Sequence, residues 1–456
     1  MAELIDQLSR YRASDSMLDD YGRQRAPTDE ELSRTIIAPG TDALLPIGVT
    51  YQAGWEPAGD GIARHARAAV RALSKAGIAV SLQSLPIARM MLEDEIDPSV
   101  IREVGYLRST SVGRALFAVR QVILHNHQFL ENVVVPAGAR LSDFENELKV
   151  YRSTIVYTSW ERSTVHPELV AVLNRCARVW VPCEMNRAVF VDAGVERVDV
   201  IPCPFEPETS LTAGIAAPRG SESVPEGKRF YAIGKWEPRK NYDALIGAFM
   251  REFTQKEKAS LFLKTHEWGS WENYPTVKES LERWLADPAV IGNGWTRTNY
   301  NRRLRIVTTK IPDEKILGIH RDNNIYVTGS HGEAWDLPAF DARVAGNRLV
   351  YTGYGGAEDY ASSSDVQIGC DRDPPAMFFE PVHAGYGWEP DALWAEAGVE
   401  GIRCALRRAS PPARRVLPPE LYARFGSDAV GRLMVASLMR ASQDAAVKLI
   451  AQGSFG

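Results

Sequence analysis

The sequence predicts an α/β protein with two domains, and three features support that prediction. Near the start, a strand-like run at 45–51, an apolar stripe at helical spacing over 62–73 and a second strand-like run at 78–82 form a βαβ pattern. In the C-terminal half, three further apolar runs each end in a loop that carries charged residues or glycines. Between the halves, residues 204–227 are rich in Pro, Gly, Ser and Glu, which is typical of a linker.

The length of the chain is sufficient for two hydrophobic cores. Its 456 residues exceed one ordinary domain, and 45% of them are hydrophobic. The predicted parts are an N-terminal extension (1–43), an N-terminal domain (44–205), a linker (206–227), a C-terminal domain (228–410) and C-terminal helices (411–456). A long helical pattern runs from about residue 428 to 450 in the last part.

Charge and hydropathy argue against several classes of protein. A net charge of −5 gives no sign of nucleic-acid binding, and no apolar run is long enough to span a bilayer. Residues 1–43 are polar and contain no signal-peptide core, so we expect a cytoplasmic protein. Arginine clusters at 302–305 and 407–415 are expected to be solvated faces, with peripheral contact at the inner face of the membrane as the alternative.

Cysteine usage agrees with a reducing compartment. The five cysteines are odd in number and lack CxxC spacing. We therefore expect reduced thiols rather than a disulfide framework or a zinc ribbon.

The segment at 330–342 places two carboxylates, Glu333 and Asp341, around the start of a predicted helix. A strand ending near Val327 leads into this loop, and Pro338 fits only the first turn of the helix. Free amides at a helix start bind anions, and carboxylates accept hydrogen bonds from hydroxyl groups. The segment therefore suits a sugar nucleotide, and its alternative interpretation is a helix cap with a surface acid.

A loop with three cations follows the apolar run at 230–233. Lys235, Arg239 and Lys240 could neutralise a diphosphate leaving group, because fixed cations stabilise charge that develops in a transition state. The alternative is a set of solvated surface side chains. Further along, the glycines at 353–356 permit either close backbone approach to a ligand or a tight turn.

Two more candidate motifs follow predicted strands of the N-terminal half. Gly59 and Gly61 lie in a glycine-rich loop, which is either a ligand-binding loop or a turn. His125 and His127 follow a predicted strand at 119–124, and ligands of open parallel sheets bind outside the carboxyl ends of strands. A structural histidine is the alternative, and no Cys or further His nearby has the spacing of a metal site.

The order of these motifs resembles that of retaining GT-B glycosyltransferases of family 4 and its relatives. The resemblance rests on the basic segment 234–241, the Glu-x7-Asp segment 333–341 and the glycine segment 353–359. Strand ends at 155–161 and 179–184 are also similar to that family, with a cysteine where serine is usual. The resemblance covers most of the chain. It implies two Rossmann-like, doubly wound domains that face each other across a cleft, with C-terminal helices returning to the first domain.

The resemblance also implies a role for each motif residue. In the family, the basic pair binds the donor diphosphate, the first acid contacts the transferred sugar, and the second acid contacts the ribose. The catalytic residues carried over to this chain are His127, Lys240 and Glu333. The donor-binding residues carried over are Lys235, Arg239, Lys240, Glu333, Ala334, Trp335, Asp336, Leu337, Asp341, Gly59 and Gly61.

Two residues depart from the pattern of that family. Asp341 stands where Glu is usual, and Asp336 stands where Gly is usual. Asp341 is one methylene shorter than Glu, which changes its reach toward a ribose. A carboxylate at Asp336 would lie close to a loop expected to hold phosphate, where like charge is unfavourable.

The expected activity is transfer of a sugar from a nucleoside-diphosphate sugar to a glycan, lipid-linked or other glycoconjugate acceptor, with retention of configuration. Neither a metal nor another cofactor is expected, and polysaccharide biosynthesis is the expected context. Three alternatives are a GT-B sugar-nucleotide epimerase or phosphorylase, a non-catalytic sugar-nucleotide-binding subunit, and a metal-dependent GT-A transferase. The last would use Asp371 and Asp373 as metal ligands.

Overall fold

The structure, a computed structural model, describes residues 48–53, 61–84, 115–121, 153–165, 167–205, 226–267, 274–370, 393–415 and 418–451. The predicted extension at 1–43 and most of the predicted linker lie outside these ranges. The candidate residues that also lie outside them are Gly59, His125, His127, Asp371 and Asp373.

Six described strands form the first sheet: β1 (Gly48–Ala53), β2 (Ala79–Ser84), β3 (Ala115–Gln121), β4 (Ser153–Tyr157), β5 (Arg178–Val181) and β6 (Val198–Val200). Their order is β2-β1-β3-β4-β5-β6, and every neighbouring pair is parallel. The prediction that β3 begins at residue 119 was wrong, because the strand already includes Phe117 and Ala118, which are buried in the sheet.

The described helices of the first half are α1 (Gly61–Lys75), α2 (Pro167–Leu173) and α3 (Glu184–Asp192). α1 connects β1 to β2, as the βαβ pattern predicted, and its apolar face packs into the core through Ala66, Val70 and Leu73. Gly77 follows with φ +82°, a conformation that glycine adopts without strain, and the turn leads directly into β2.

A second sheet contains six described strands: β7 (Lys228–Ile233), β8 (Ala259–Lys264), β9 (Leu304–Val307), β10 (Ile325–Thr328), β11 (Arg348–Thr352) and β12 (Val366–Ile368). Their order is β12-β11-β10-β7-β8-β9, again with parallel pairs throughout. The chain runs outward from β7 to β9 and then returns to β10 on the other side of β7. β7 and β10 therefore flank the switch point of a Rossmann-type sheet.

Helices cover both faces of this sheet. The described helices here are α4 (Tyr242–Glu252), α5 (Val277–Leu285), α6 (Pro288–Gly292), α7 (Asp313–Asp322), α8 (Leu337–Val344), α9 (Ala357–Tyr360) and α10 (Val399–Arg408). Residues of β7 alternate between the two faces: Phe230 packs with α4 and α10, whereas Tyr231 packs with α7 and α8. Both faces of the sheet are thus buried, as in doubly wound folds.

The C-terminal helices bring the chain back to the first sheet. After α11 (Pro419–Phe425), α12 (Ser427–Ala451) packs against α1, where a Cβ on Gly431 would lie 2.5 Å from the Ala72 carbonyl oxygen. Trp180 of β5 donates a hydrogen bond from Nε1 to the Ser437 hydroxyl at 2.8 Å. None of the described helices is both long and apolar enough to cross a bilayer.

Candidate functional site

Two loops meet at the switch point of the second sheet. One follows β7 and includes a short 3-10 helix, Pro238–Lys240. The other, residues 329–336, follows β10 and leads to α8; we call it the donor loop, because the sequence predicts donor-binding residues in it. The Arg239 carbonyl oxygen accepts hydrogen bonds from the Ser330 hydroxyl at 2.9 Å and from the His331 amide at 2.8 Å. These bonds hold the loops together at the carboxyl ends of β7 and β10, where ligands of open α/β sheets bind.

A buried ion-pair cluster lies where these loops meet. Lys240 Nζ lies 2.5 Å from Glu333 Oε1, and Arg239 Nη1 lies 3.0 Å from Glu333 Oε2. Burial alone would raise the pKa of Glu333, which is only 7% exposed, but Arg239 and Lys240 outweigh burial and lower that pKa to about 2. Burial opposes the charge on Lys240, yet Glu333 raises its pKa overall. The cluster therefore combines an ionised carboxylate with two fixed cations.

A carboxylate from the first half joins this cluster. Glu161, in the loop after β4, lies 3.1 Å from Arg239 Nη1 through its Oε1 atom. Its backbone also touches the donor loop, because a Cβ on Gly332 would lie only 2.3 Å from the Glu161 carbonyl oxygen. Burial raises the pKa of Glu161 to about 7; Arg239 opposes this rise, and Glu333 adds to it. Sequence reasoning noted the strand end before Glu161 but did not select this residue as part of the site.

The second acid of the Glu-x7-Asp segment also contacts the first half. Asp341 accepts two hydrogen bonds from Arg64 of α1, with both nitrogen–oxygen distances at 2.5 Å. The Asp341 side chain is 5% exposed and that of Arg64 is 29% exposed. Next to this pair, a Cβ on Gly61 would lie 3.2 Å from Cδ1 of Leu337. Arg64 was not predicted, and its only signal in the sequence is its position one turn after the glycine-rich loop.

Asp336 occupies a position whose backbone suits glycine. Its φ of 59° and ψ of 73° lie in the left-handed region, which Asp adopts more readily than most other residues. Among the described residues, no hydrogen bond of standard geometry reaches either of its carboxylate oxygens. Burial and the nearby Glu333 raise the pKa of Asp336 to about 6, although Lys240, the Thr328 hydroxyl and the Ala339 amide favour its charged form in part.

The side chains of two further predicted donor-binding residues, Ala334 and Trp335, are buried. The Trp335 ring packs in the core against Phe340 and Tyr360, with centroid distances of 5.2 Å and 5.1 Å. Ala334 is buried, and Leu337 is the first residue of α8. The side chains of Ala334 and Trp335 are therefore engaged in packing rather than directed toward a ligand.

The glycine segment after β11 packs against this loop. The Gly356 amide donates a hydrogen bond to the Glu333 carbonyl oxygen at 2.9 Å. A Cβ on Gly355 would lie 2.5 Å from the same oxygen, and a Cβ on Gly356 would lie 2.4 Å from the Ala334 carbonyl oxygen. The glycines thus support Glu333 from behind through close backbone packing.

Of the residues predicted from sequence, the structure brings Arg239, Lys240, Glu333 and Asp336 together at the switch point. Asp341 lies on the following helix and is paired with Arg64. Lys235 lies between β7 and the 3-10 helix and is partly buried. Gly61 begins α1, against Leu337, and the site roles of Gly59 and His127 stay predictions outside the described residues.

Comparisons with known proteins place this architecture among solved structures. Neither a protein-family profile nor a curated protein sequence matches the chain. A sucrose-phosphate synthase from Thermosynechococcus elongatus superimposes with a TM-score of 0.53 at 14% identity, covering 88% of this chain and 100% of the other. An alpha,alpha-trehalose 6-phosphate synthase from Burkholderia multivorans gives a TM-score of 0.54 at 12% identity, covering 88% and 99%.

A third structure, described as trehalose-6-phosphate from E. coli bound with UDP-2-fluoro glucose, gives a TM-score of 0.52 at 11% identity and covers 86% of this chain and 98% of the other. These similarities define the fold as GT-B, with two Rossmann-like domains. The fold predicted from sequence is therefore confirmed. The GT-A alternative does not agree with it.

Proposed function

We propose that this protein is a glycosyltransferase that transfers a sugar from a nucleoside-diphosphate sugar to a glycan, lipid-linked or other glycoconjugate acceptor. The observation that carries the proposal is the cluster of Arg239, Lys240 and Glu333 at the switch point. The names of structural neighbours support it, since these include two sugar-phosphate synthases and a protein bound with UDP-2-fluoro glucose. The fold alone would not define an activity, because one fold serves many functions.

The cluster supplies the charges that such a reaction needs. When the bond from the sugar to the diphosphate breaks, negative charge develops on the departing oxygen, and Arg239 and Lys240 are fixed cations at the expected position. Glu333 is ionised and can accept hydrogen bonds from hydroxyl groups of the transferred sugar. The cations supply charge without a metal ion, so we propose a metal-independent reaction.

Retention of configuration is part of the proposal and rests on the resemblance to family 4. The new bond from the anomeric carbon to the acceptor oxygen forms on the face that the diphosphate leaves, and the acceptor proton passes to the departing oxygen. A carboxylate with a strongly lowered pKa is a weak nucleophile, so Glu333 is better suited to orient the sugar than to attack it. The proposed roles of the other residues are ribose contact for Asp341, phosphate approach for Gly59 and Gly61, and sugar contact for His127.

A thermal-shift panel tests donor binding. UDP, GDP, ADP, CMP and dTDP, each with a common sugar conjugate, are added to the protein at increasing concentration. A ligand at about 100 times its Kd adds roughly 2.7 kcal/mol of stability, which raises Tm by several degrees. We expect one base to give such a shift. If none of the compounds in the panel raises Tm, the proposal is contradicted.

Two variants make this test specific. Lys240→Ala removes a cation of the cluster and is expected to abolish most of the shift. Lys258→Ala removes an exposed lysine that pairs with Glu226 far from the crevice and is expected to preserve it. Equal shifts in both variants would place the binding site elsewhere.

A further inference from the structure

Glu333 and Asp336 lie in the same loop at the switch point, but of these two only Glu333 has a cation as a close partner. Glu333 contacts both Arg239 and Lys240. Asp336 is 6% exposed, and no ion pair to it is found within the described ranges. Several titratable side chains from different elements face Asp336. They are Glu333 from its own loop, Lys240 from the loop after β7, Tyr242 from α4, Tyr326 from β10 and Tyr360 from α9.

The donor proposed above adds two negative charges to this crevice. Arg239 and Lys240 already compensate Glu333, and Glu161 and Glu237 also contact Arg239. A diphosphate drawn to these cations would approach an ionised Asp336, and buried like charges repel strongly. Protonation of Asp336 removes that repulsion. The neutral acid also supplies an O–H group that can donate a hydrogen bond. In the family that this sequence resembles, glycine is usual at this position and offers no such donor.

We propose that Asp336 binds a proton from solvent when a nucleoside-diphosphate sugar occupies the crevice, so that donor binding is coupled to proton uptake. This inference rests on the proposed function, because it requires a diphosphate at the switch point. It makes Asp336 a donor-binding residue whose protonation state sets affinity. Aspartate at this position, where glycine is usual in the family that the sequence resembles, thus makes donor affinity dependent on pH.

The direction of the pH dependence follows from the order of two pKa values. Without donor, burial and Glu333 raise the pKa of Asp336 to about 6, so at neutral pH this carboxyl is mostly ionised. A bound diphosphate raises the pKa further, and the bound state therefore holds more protons. Donor affinity is highest below pH 6 and falls as pH rises through the pKa of the bound state. The fall is at most about tenfold per pH unit for one proton.

Calorimetric titration measures proton uptake directly. The probe is UDP-glucose, GDP-mannose or ADP-glucose, chosen as the one that raises Tm most; their diphosphodiesters do not titrate near neutral pH. Titrations at pH 7.5 in HEPES and in Tris, which differ in heat of protonation, give the number of protons bound. We expect about one proton for the wild type. We expect close to none for Asp336→Asn, which keeps the volume and the left-handed preference of the residue.

Two further variants give the test its controls. Asp336→Gly fits the φ of 59° without strain and should also take up no proton, so the test does not depend on the folding of one variant. Glu226→Gln removes an exposed carboxyl that pairs with Lys258 away from the crevice and should keep the uptake. Binding without proton uptake in the wild type would overturn the inference, as would uptake that persists in both Asp336→Asn and Asp336→Gly. Failure of all three probes to bind, together with no thermal shift from any member of the panel, would overturn the proposed function itself, and this inference with it.

Discussion

Glu333 shows how neighbouring residues set the charge of one side chain. Its carboxylate is buried, which would favour the neutral acid, yet two cations within 3.0 Å keep it ionised. The same contacts keep Lys240 charged although it too is largely removed from water. Each charge is thus stable only while the other is present, because an uncompensated charge in the interior is costly.

Removing the charge of Glu333 should therefore destabilise the fold. Glu333→Gln keeps the size of the side chain but leaves Lys240 without its counterion, and we expect the free energy of unfolding to fall by about 3 kcal/mol. Urea unfolding followed by circular dichroism measures this change. Glu226→Gln is the matched control, since Glu226 is in an exposed pair with Lys258, and no measurable change is expected there. A loss of unfolding free energy in Glu333→Gln no larger than that in Glu226→Gln would contradict this account of the buried ion pair.

Single residues also mark the limits of prediction from sequence. Lys240 and Glu333 could be predicted to share a site because each follows a parallel strand, and such strand ends meet at one edge of a sheet. Asp336 was recognised as unusual, but its burial depends on packing from elements elsewhere in the chain. Trp335 gave no local sign that its ring would turn into the core rather than toward a ligand.

Secondary-structure elements position the site through the loops between them. β7 and β10 end side by side, and the glycine segment after β11 packs directly beneath the donor loop. The sequence predicted these strands within a few residues, because each is a short apolar run ended by a loop. The sequence does not show whether the glycines at 355–356 face a ligand or the backbone of a neighbouring loop, since both arrangements need a residue without a Cβ.

A methyl group at Gly356 should disturb this packing. Gly356→Ala would place Cβ 2.4 Å from the Ala334 carbonyl oxygen and 2.6 Å from Trp335 Cα, so the donor loop must shift. We expect a loss of about 1–3 kcal/mol in unfolding free energy, together with weaker donor binding. Gly369→Ala is the control, because nothing lies within 4 Å of its added Cβ. Equal stability of the two variants in thermal unfolding would contradict this account of the loop.

At the level of the whole chain, the two halves complete one site. Arg64 and Asp341 are 277 positions apart, and Glu161 reaches Arg239 from the other sheet. α12 returns from the second half to the first and packs on α1, the helix that carries Arg64. No local pattern could predict these contacts, because they depend on how the two sheets face each other. The overall GT-B architecture, in contrast, was predicted from the order of the motifs.

The measurement that decides the proposed activity is release of nucleoside diphosphate from the sugar nucleotide that stabilises the protein most. It is followed with and without a mixture of glycan and lipid-linked acceptors, in the wild type, Lys240→Ala and Lys258→Ala. We predict release that depends on acceptor in the wild type and in Lys258→Ala, and a rate about 100-fold lower in Lys240→Ala, because one fixed charge at the leaving group is lost. Release at the wild-type rate by Lys240→Ala, or release that no acceptor increases, would contradict the assignment of this crevice as the site of glycosyl transfer.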